Sequence, residues 1–358
     1  MIYDCLIIGH GLAGSILAHT LAAANSKILV IDQPKANAAS QVAAGLMNPL
    51  AGKRFAKSWR ADTLVPFATQ FYQETEQSSG NLFFHQKPIL KLFSSVEEQN
   101  TWMGKSAGTH YGEFVKEVFT TLPPSADINQ EQGGIVIDKG GYLDVPLFLE
   151  SLRQIRNSKQ EILSETFNFE ALQIQTSGVQ YEDKSARQII FCDGYQGAKN
   201  PFFSWLPFSL NKGEILDIES DFLTNEYIYN KAVYVLGIGK NQWRVGATYN
   251  WREVDEQISP EGRRELELKL GNLLKNPFKI ISQKAGIRPA VRDRRPLIGT
   301  HPACPNVHIF NGMGSKGVMM APYLAHHFGR VLRKEEELIP EVNILRYLAL
   351  YQEHKLLP

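Results

Sequence analysis

The chain opens "MIYDCLIIGHGLAGSILAHTLAAANSKILVID", and no other stretch limits its fold so strongly. Ile2 to Ile8 is a short, mostly apolar run, the pattern of a strand buried on both faces. Gly9-His10-Gly11-Leu12-Ala13-Gly14 then fits GxGxxG, and Leu17, Leu21 and Ala24 follow at helical spacing. Lys27 to Ile31 is a second apolar run, and it ends at Asp32. Gly9 permits the tight turn, Gly11 lets a pyrophosphate approach the backbone, and Gly14 lets helix and strand pack closely. Free amides at the helix N-terminus bind the anion. Asp32 accepts hydrogen bonds from a ribose hydroxyl. The ordered series predicts a dinucleotide-binding unit, with Gly9, Gly11, Leu12, Ala13, Gly14, Asp32 and Gln33 facing the ligand. An acid at position 32 favours an unphosphorylated adenosine ribose, hence FAD or NAD rather than NADP.

A length of 358 residues suits two structural units, and 43% apolar against 21% charged residues is a globular composition. The 38 basic and 37 acidic residues leave a net charge of +1, without the basic excess of a duplex-binding protein. Cys5, Cys192 and Cys304 are far apart, and no Cys/His cluster has metal-ligand spacing, so no metal is expected. Such cysteine usage suits a reducing compartment. No basic leader with a cleavage site and no membrane-length apolar run is evident, so a cytoplasmic protein is expected.

The segment after Asp32 separates FAD from NAD. A plain NAD domain continues with another strand–helix pair. Here "ASQVAAGLMNPLAGKRFAKSW" supplies a loop of small residues, Ser40, Ala43, Ala44 and Gly45, ahead of the helical pattern "RADTLVPFATQFYQETEQ". Far downstream, "NGMGSKGVMMAP" follows the apolar run Val307 to Phe310. Gly312, Gly314 and Gly317 crowd a second helix start there, and Met320, Leu324, Phe328 and Val331 share one face of that helix.

Together with "GGYLDVPLFLESL", "IIFCDGYQG", "NKGEILDIE", "WRVGATYNW" and "AGIRPAVRDRRPLIG", these motifs resemble the D-amino-acid oxidase/glycine oxidase (DAO) family of FAD-dependent oxidoreductases. The resemblance runs over nearly the whole chain in the correct order. It implies an α/β chain, α+β overall, with a Rossmann-like FAD-binding domain interleaved with an antiparallel-sheet substrate domain. The first is expected from 1–75, 140–208 and 285–358, the second from 76–139 and 209–284. "NLFFHQKPILKLF" and "QWRVGATYN" read as β-rich, and "EGRRELELKLGNLLKN" as a helix inserted in the second unit.

The resemblance also implies FAD contacts at Ser40, Ala43, Ala44, Gly45, Phe167, Asp193, Gly194, Gly314, Ser315, Lys316 and Gly317. Cys192-Asp193-Gly194 departs from the small apolar residues usual in the family at this place. Lys316 adds positive charge beside the flavin's pyrimidine edge, or else is a solvated loop lysine. No cysteine lies near Arg288, where some members attach the flavin, so FAD is expected to be non-covalent.

The implied reaction is oxidation of an amine or amino acid that carries a carboxylate. Hydride passes from Cα to flavin N5, the imine hydrolyses, and oxygen reoxidises the flavin to give hydrogen peroxide. No strong base is required, and the nine histidines form no arrangement that demands one. The site needs a carboxylate clamp, and a guanidinium offers a planar fork for it. Arg288 matches that position, the alternative being an ion pair with an internal acid. Arg292, Arg294 and Arg295 read as turn residues around Asp293. Tyr234 and Tyr249 match residues that face the substrate, against the alternative of ordinary sheet tyrosines; Met47 and Asn48 are further candidates.

Two rivals stay open within the FAD class. One is an oxidase acting on the carboxymethylaminomethyl group of a tRNA wobble uridine, whose "GSRG"-type motif is similar to Gly314-Ser315-Lys316-Gly317. The balanced charge disfavours that nucleic-acid partner. The other is an FAD dehydrogenase or redox-responsive binder with a non-oxygen acceptor. A nicotinamide-only dehydrogenase leaves the C-terminal motifs without purpose.

Overall fold

The computed structural model describes residues 2–51, 56–106, 111, 113–121 and 127–355. The strand Ile2–Ile8 pairs in parallel with Ile28–Ile31 on one side and with Lys184–Phe191 on the other. Ile162–Leu163 extends this sheet beyond Ile28–Ile31; Cys304–Asn311 pairs in parallel with Lys184–Phe191, and Leu297–His301 pairs antiparallel with Cys304–Asn311. Residues 28–31 are buried on both faces, as a continuous apolar run in a parallel sheet requires. The helix Leu12–Ala23 crosses between the first two strands and packs beside Gly317–Leu332. Ala61–Ser79 lies against the same C-terminal helix, where the Tyr72 hydroxyl donates to the Val318 carbonyl at 2.8 Å.

A second sheet of eight strands runs in the order Lys279–Arg288, Asn211–Glu219, Gln242–Gly246, Val233–Gly239, Ile228–Lys231, Ile89–Leu92, Gly134–Ile137 and Val115–Phe119. Its pairings are antiparallel apart from Ile228–Lys231 with Ile89–Leu92. Leu90, Leu216, Val235 and Val245 on one face form a core with Leu266 and Leu270 of the helix Pro260–Gly271. The opposite face looks toward the first sheet's cavity.

Three local outcomes refine the sequence reading. "NLFFHQKPILKLF" divides at Lys87-Pro88, and Phe84–Gln86 and Ile89–Leu92 enter different sheets. Proline has no amide to continue a ladder. The helix within "EGRRELELKLGNLLKN" ends at Gly271, and the Leu273 and Leu274 amides beyond it share the Leu270 carbonyl. The strand Lys279–Arg288 runs unbroken through positions 284 and 285, so Arg288 is carried by the second sheet. Among the described residues no helix is long and apolar enough to cross a membrane.

Candidate functional site

A cavity of about 1050 Å³ lies between the two sheets. At one end stands the N-terminus of the helix Leu12–Ala23. Gly9 has φ +101°, and a Cβ there would come within 2.6 Å of the Cys192 carbonyl, so only glycine makes this turn. Gly11 precedes the helix without a side-chain cap, and the Leu12 amide donates to Ser40 Oγ at 3.0 Å. Ser40 lies in a short helix, Ala39–Val42, rather than in the loop expected there, and this helix is thereby tied to the entry of Leu12–Ala23. The remaining first-turn amides have no intrahelical acceptor and form the anion site that a pyrophosphate needs.

Asp32, at the end of the second strand, orients its carboxylate with two donors. The His10 amide reaches Oδ1 at 2.9 Å, and the Arg153 guanidinium binds Oδ2. The arginine comes from the helix Val145–Ser158, far away in sequence. The His10 ring is buried in the cavity wall, and among the described residues neither of its nitrogens has a hydrogen-bond partner. Burial, followed by the Arg153 charge, pushes its pKa down to about 4. Phe167 stacks on Tyr181 at 4.7 Å between ring centroids and lines the cavity.

Asp193 is explained by its partners. Its carboxylate accepts from Asn200 Nδ2 and from Asn311 Nδ2, each at 2.9 Å, which joins the ends of two neighbouring strands under the cavity floor. Burial pushes its pKa up to about 6, against the lowering effect of those bonds.

Gly314, Ser315, Lys316 and Gly317 line another part of the cavity, at the start of the helix Gly317–Leu332. Lys316 is partly buried, and its ammonium donates to Ser58 Oγ. Burial, aided by the charge of Arg294, pushes its pKa down to about 8. It is therefore not a freely solvated loop lysine.

The second sheet supplies the remaining wall. Arg288 Nη1 donates to Asn211 Oδ1 at 2.7 Å and to the Thr248 carbonyl at 3.2 Å. Its guanidinium carbon lies 4.3 Å from the Tyr249 ring centroid. A Cβ on Gly213 would sit 2.0 Å from Arg288 Nη2, so the missing side chain makes the seat for the guanidinium. Among the described residues, no carboxylate lies within ion-pair distance of Arg288. Tyr234 also faces the cavity, and burial raises its phenol well above the ordinary tyrosine range. Tyr249 stacks outward on Trp251 at 5.9 Å, and the two are 52% and 60% exposed at the cavity mouth.

The structure thus brings nearly all of the expected residues to one cavity: Gly9, Gly11, Leu12, Ala13, Asp32, Gln33, Ser40, Ala43, Ala44, Gly45, Phe167, Asp193, Gly194, the 314–317 turn, Tyr234, Tyr249 and Arg288. Gly14 sits behind the wall, where a Cβ would meet the Gly9 carbonyl at 2.0 Å. Asn48 lines the cavity, whereas Met47, its neighbour along the strand edge, points into the core. Arg292 and Arg294 are exposed, and Arg295 lies over the Trp59 ring at 5.2 Å. Asp293 accepts from the Arg295 amide at 2.9 Å and from Arg346 Nε at 3.0 Å, which closes this turn. Sequence reasoning missed Arg153, Asn200, Asn211, Gly213, Thr248 and Asn311. Of these, Asn211 and Gly213 lie in "NKGEILDIE", Thr248 in "WRVGATYNW" and Asn311 at the head of "NGMGSKGVMMAP", all motifs already noted.

The two glycine-rich helix starts, the oriented acid at position 32 and the long two-walled cavity fit an extended dinucleotide with a redox-active ring. Known proteins agree. The glycine oxidase of Geobacillus kaustophilus is 21% identical over 346 residues, covering 89% of this chain and 90% of its own. The tRNA 5-methylaminomethyl-2-thiouridine biosynthesis bifunctional protein of Marinobacter nauticus is 22% identical over 354 residues, covering 90% of this chain but 54% of its own. The crystal structure of the Bacillus cereus glycine oxidase shares the fold, with a TM-score of 0.80 at 18% identity over 94% of this chain and 98% of that one. Residues 4–330 match the family described as DAO, FAD dependent oxidoreductase, and the chain belongs to this family, with FAD as its cofactor.

Proposed function

We propose that this FAD-dependent oxidoreductase oxidises the C–N bond of a small amino acid or secondary amine that bears a carboxylate. The observation that carries this reading is Arg288: a guanidinium facing the cavity, oriented by Asn211 and Thr248, stacked under Tyr249, with no counter-ion from the described residues. Bound FAD supplies a two-electron acceptor for the hydride that leaves the substrate carbon. Arg288 holds the carboxylate through two parallel N–H donors, which fixes the orientation of the adjacent C–H bond. Tyr249 and Tyr234 cover the clamped group and reduce its access to water. The nitrogen lone pair closes the C=N bond as the hydride departs. Water then adds to the imine, giving an oxo acid and ammonia or an amine. Oxygen is the proposed final acceptor, with hydrogen peroxide as product.

The experiment is anaerobic addition of glycine, sarcosine, D-proline and D-alanine to the holoenzyme, followed by air. Bleaching of the flavin and then release of peroxide support the reading. A flavin that stays oxidised across a broad panel of amino acids and N-alkyl amino acids overturns it. Bleaching without peroxide assigns the enzyme to dehydrogenases with another acceptor.

The exposed Tyr249–Trp251 stack beside Arg288 favours one second reading, an amine carried on a nucleobase, for which the Marinobacter relative is a precedent. Base stacking on such a pair is sequence-tolerant. Salt-sensitive binding of unmodified and carboxymethylaminomethyl-modified tRNA tests it; no binding at low salt removes it.

A further inference from the structure

The segment that follows Trp251 brings a carboxylate back to the cavity. Glu256 is half-buried and lines the cavity, and so does Tyr195 of the short 3₁₀ helix Gly194–Lys199. The two side chains interact: burial, followed by the Glu256 charge, raises the Tyr195 phenol. The phenol therefore stays neutral and does not cancel the carboxylate's charge. Glu256 Oε1 is buried, and among the described residues it has no hydrogen-bond partner. Lys212 Nζ pairs instead with the neighbouring Asp255, at 2.8 Å. A buried carboxylate oxygen without a donor is costly, and this one belongs to a side chain that lines a ligand cavity rather than a core.

Such a group selects one kind of ligand. A carboxylate repels an anion, and an apolar group would leave its oxygen unpaired. An ammonium brings three donors and the opposite charge. The exposed rings of Tyr249 and Trp251, on the same segment, add faces that attract cations. The carboxylate is also anchored relative to the clamp. Arg288 Nη1 donates to Asn211, and the next residue along that strand, Lys212, holds Asp255 beside Glu256. Clamp and carboxylate thus hang from successive positions of one strand. We propose that Glu256 is a subsite for an ammonium group, so that the amino acid oxidised here carries a second, distal amine. This rests on Arg288 as the clamp for the substrate carboxylate. Glu256 is a specificity-determining residue in this assignment and takes no part in the hydride transfer.

The test uses the oxidised holoenzyme, with perturbation of the flavin absorption spectrum as the binding signal. β-Alanine, γ-aminobutyrate, δ-aminovalerate and ε-aminocaproate are compared with the unsubstituted carboxylates of the same carbon count. These probes lack an amine on the carbon beside the carboxylate, so they report binding alone. One of the three longer amino acids is expected to bind at least about tenfold tighter than its parent carboxylate, the effect of one charge-assisted hydrogen bond. Glu256→Gln keeps the size of the side chain and its contact with Tyr195, and brings that ratio close to one while the parent carboxylates bind as before. Glu256→Lys inverts the ratio, because an ammonium then faces the ligand's ammonium. Retained FAD shows that each variant is folded. A ratio near one at every length in the unaltered enzyme overturns the subsite and leaves the clamp standing. A preference largest for β-alanine overturns the distal amine, and a preference that survives Glu256→Gln overturns the role of this carboxylate. Failure of every carboxylate to perturb the flavin removes the clamp, and the subsite falls with it.

Discussion

The Arg288 guanidinium lies 4.3 Å from the Tyr249 ring centroid, while its other side occupies space that a side chain on Gly213 would fill. The proposed clamp thus sits beside both a ring and a bare backbone. Gly213→Ala is expected to displace the guanidinium and weaken carboxylate binding at least about tenfold, with FAD content unchanged. Tyr249→Leu removes the ring and is expected to cost about 1 kcal/mol, roughly fivefold in affinity. Tyr249→Phe keeps the ring and should bind within twofold or so of the unaltered enzyme. Spectral titration with an unreactive carboxylate reads all three.

Arg288 and Arg294 share a short arginine-rich stretch but occupy opposite environments. Arg288→Ala is expected to raise KM for a carboxylate substrate roughly a hundredfold, the loss of a bidentate charged pair. Arg294→Ala should leave KM nearly unchanged, since this side chain is exposed at a turn. Steady-state kinetics on the two variants decides the matter, and equal effects would contradict the division.

Lys316 links charge to pH. Its pKa lies near 8 in the protein, below the ordinary 10.5, because burial disfavours the ammonium. Between those two values the unfolded chain binds a proton that the folded chain has released. Folding stability attributable to this residue therefore rises as pH climbs from about 8 to 10.5. Lys316→Met should flatten that part of the profile in cofactor-free protein, measured as Tm against pH. In the holoenzyme the same variant is expected to make the FAD midpoint potential more negative, by about 30 mV for each 1.4 kcal/mol of lost charge interaction. An unchanged potential places Lys316 away from the flavin ring.

The cofactor itself gives a fourth check. Acid precipitation of the holoenzyme should release the yellow colour into the supernatant, as non-covalent FAD does. Asp32→Ala removes the acceptor that His10 and Arg153 orient, and should weaken FAD binding at least about tenfold. Flavin fluorescence on titration of the apoprotein measures this.

What the sequence disclosed follows from how local each signal is. The turn around Gly9, the acid at Asp32 and the second glycine-rich turn at Gly314 lie within a few residues of the strands and helices that place them. Periodicity and spacing therefore reveal them. Arg288 needed the family resemblance, because nothing in "AGIRPAVRDRRPLIG" distinguishes an inward arginine from its neighbours. Its supports were hidden. Asn211 and Gly213 meet it through strand pairing, Thr248 through a carbonyl just past the strand Gln242–Gly246, and Arg153 reaches Asp32 from a helix more than a hundred positions away. Asp193, an apparent anomaly in the linear motif, becomes an ordinary buried hub once Asn200 and Asn311 are beside it.

The strand Asn211–Glu219 carries Gly213 toward the cavity and its neighbours Lys212 and Glu214 toward the opposite side. Lys212 Nζ reaches Asp255 at 2.8 Å, and Glu214 accepts from the Ser259 hydroxyl at 2.6 Å. These two contacts moor the segment that begins at Tyr249 and carries Trp251 past the mouth. Between the moorings and Trp251, whose ring braces Tyr249, substitutions at residues 252 to 254 are expected to leave the arginine's seat in place. The doorway and the arginine's seat are thus separate parts of one wall, and the first can be rewritten while the second stays as it is.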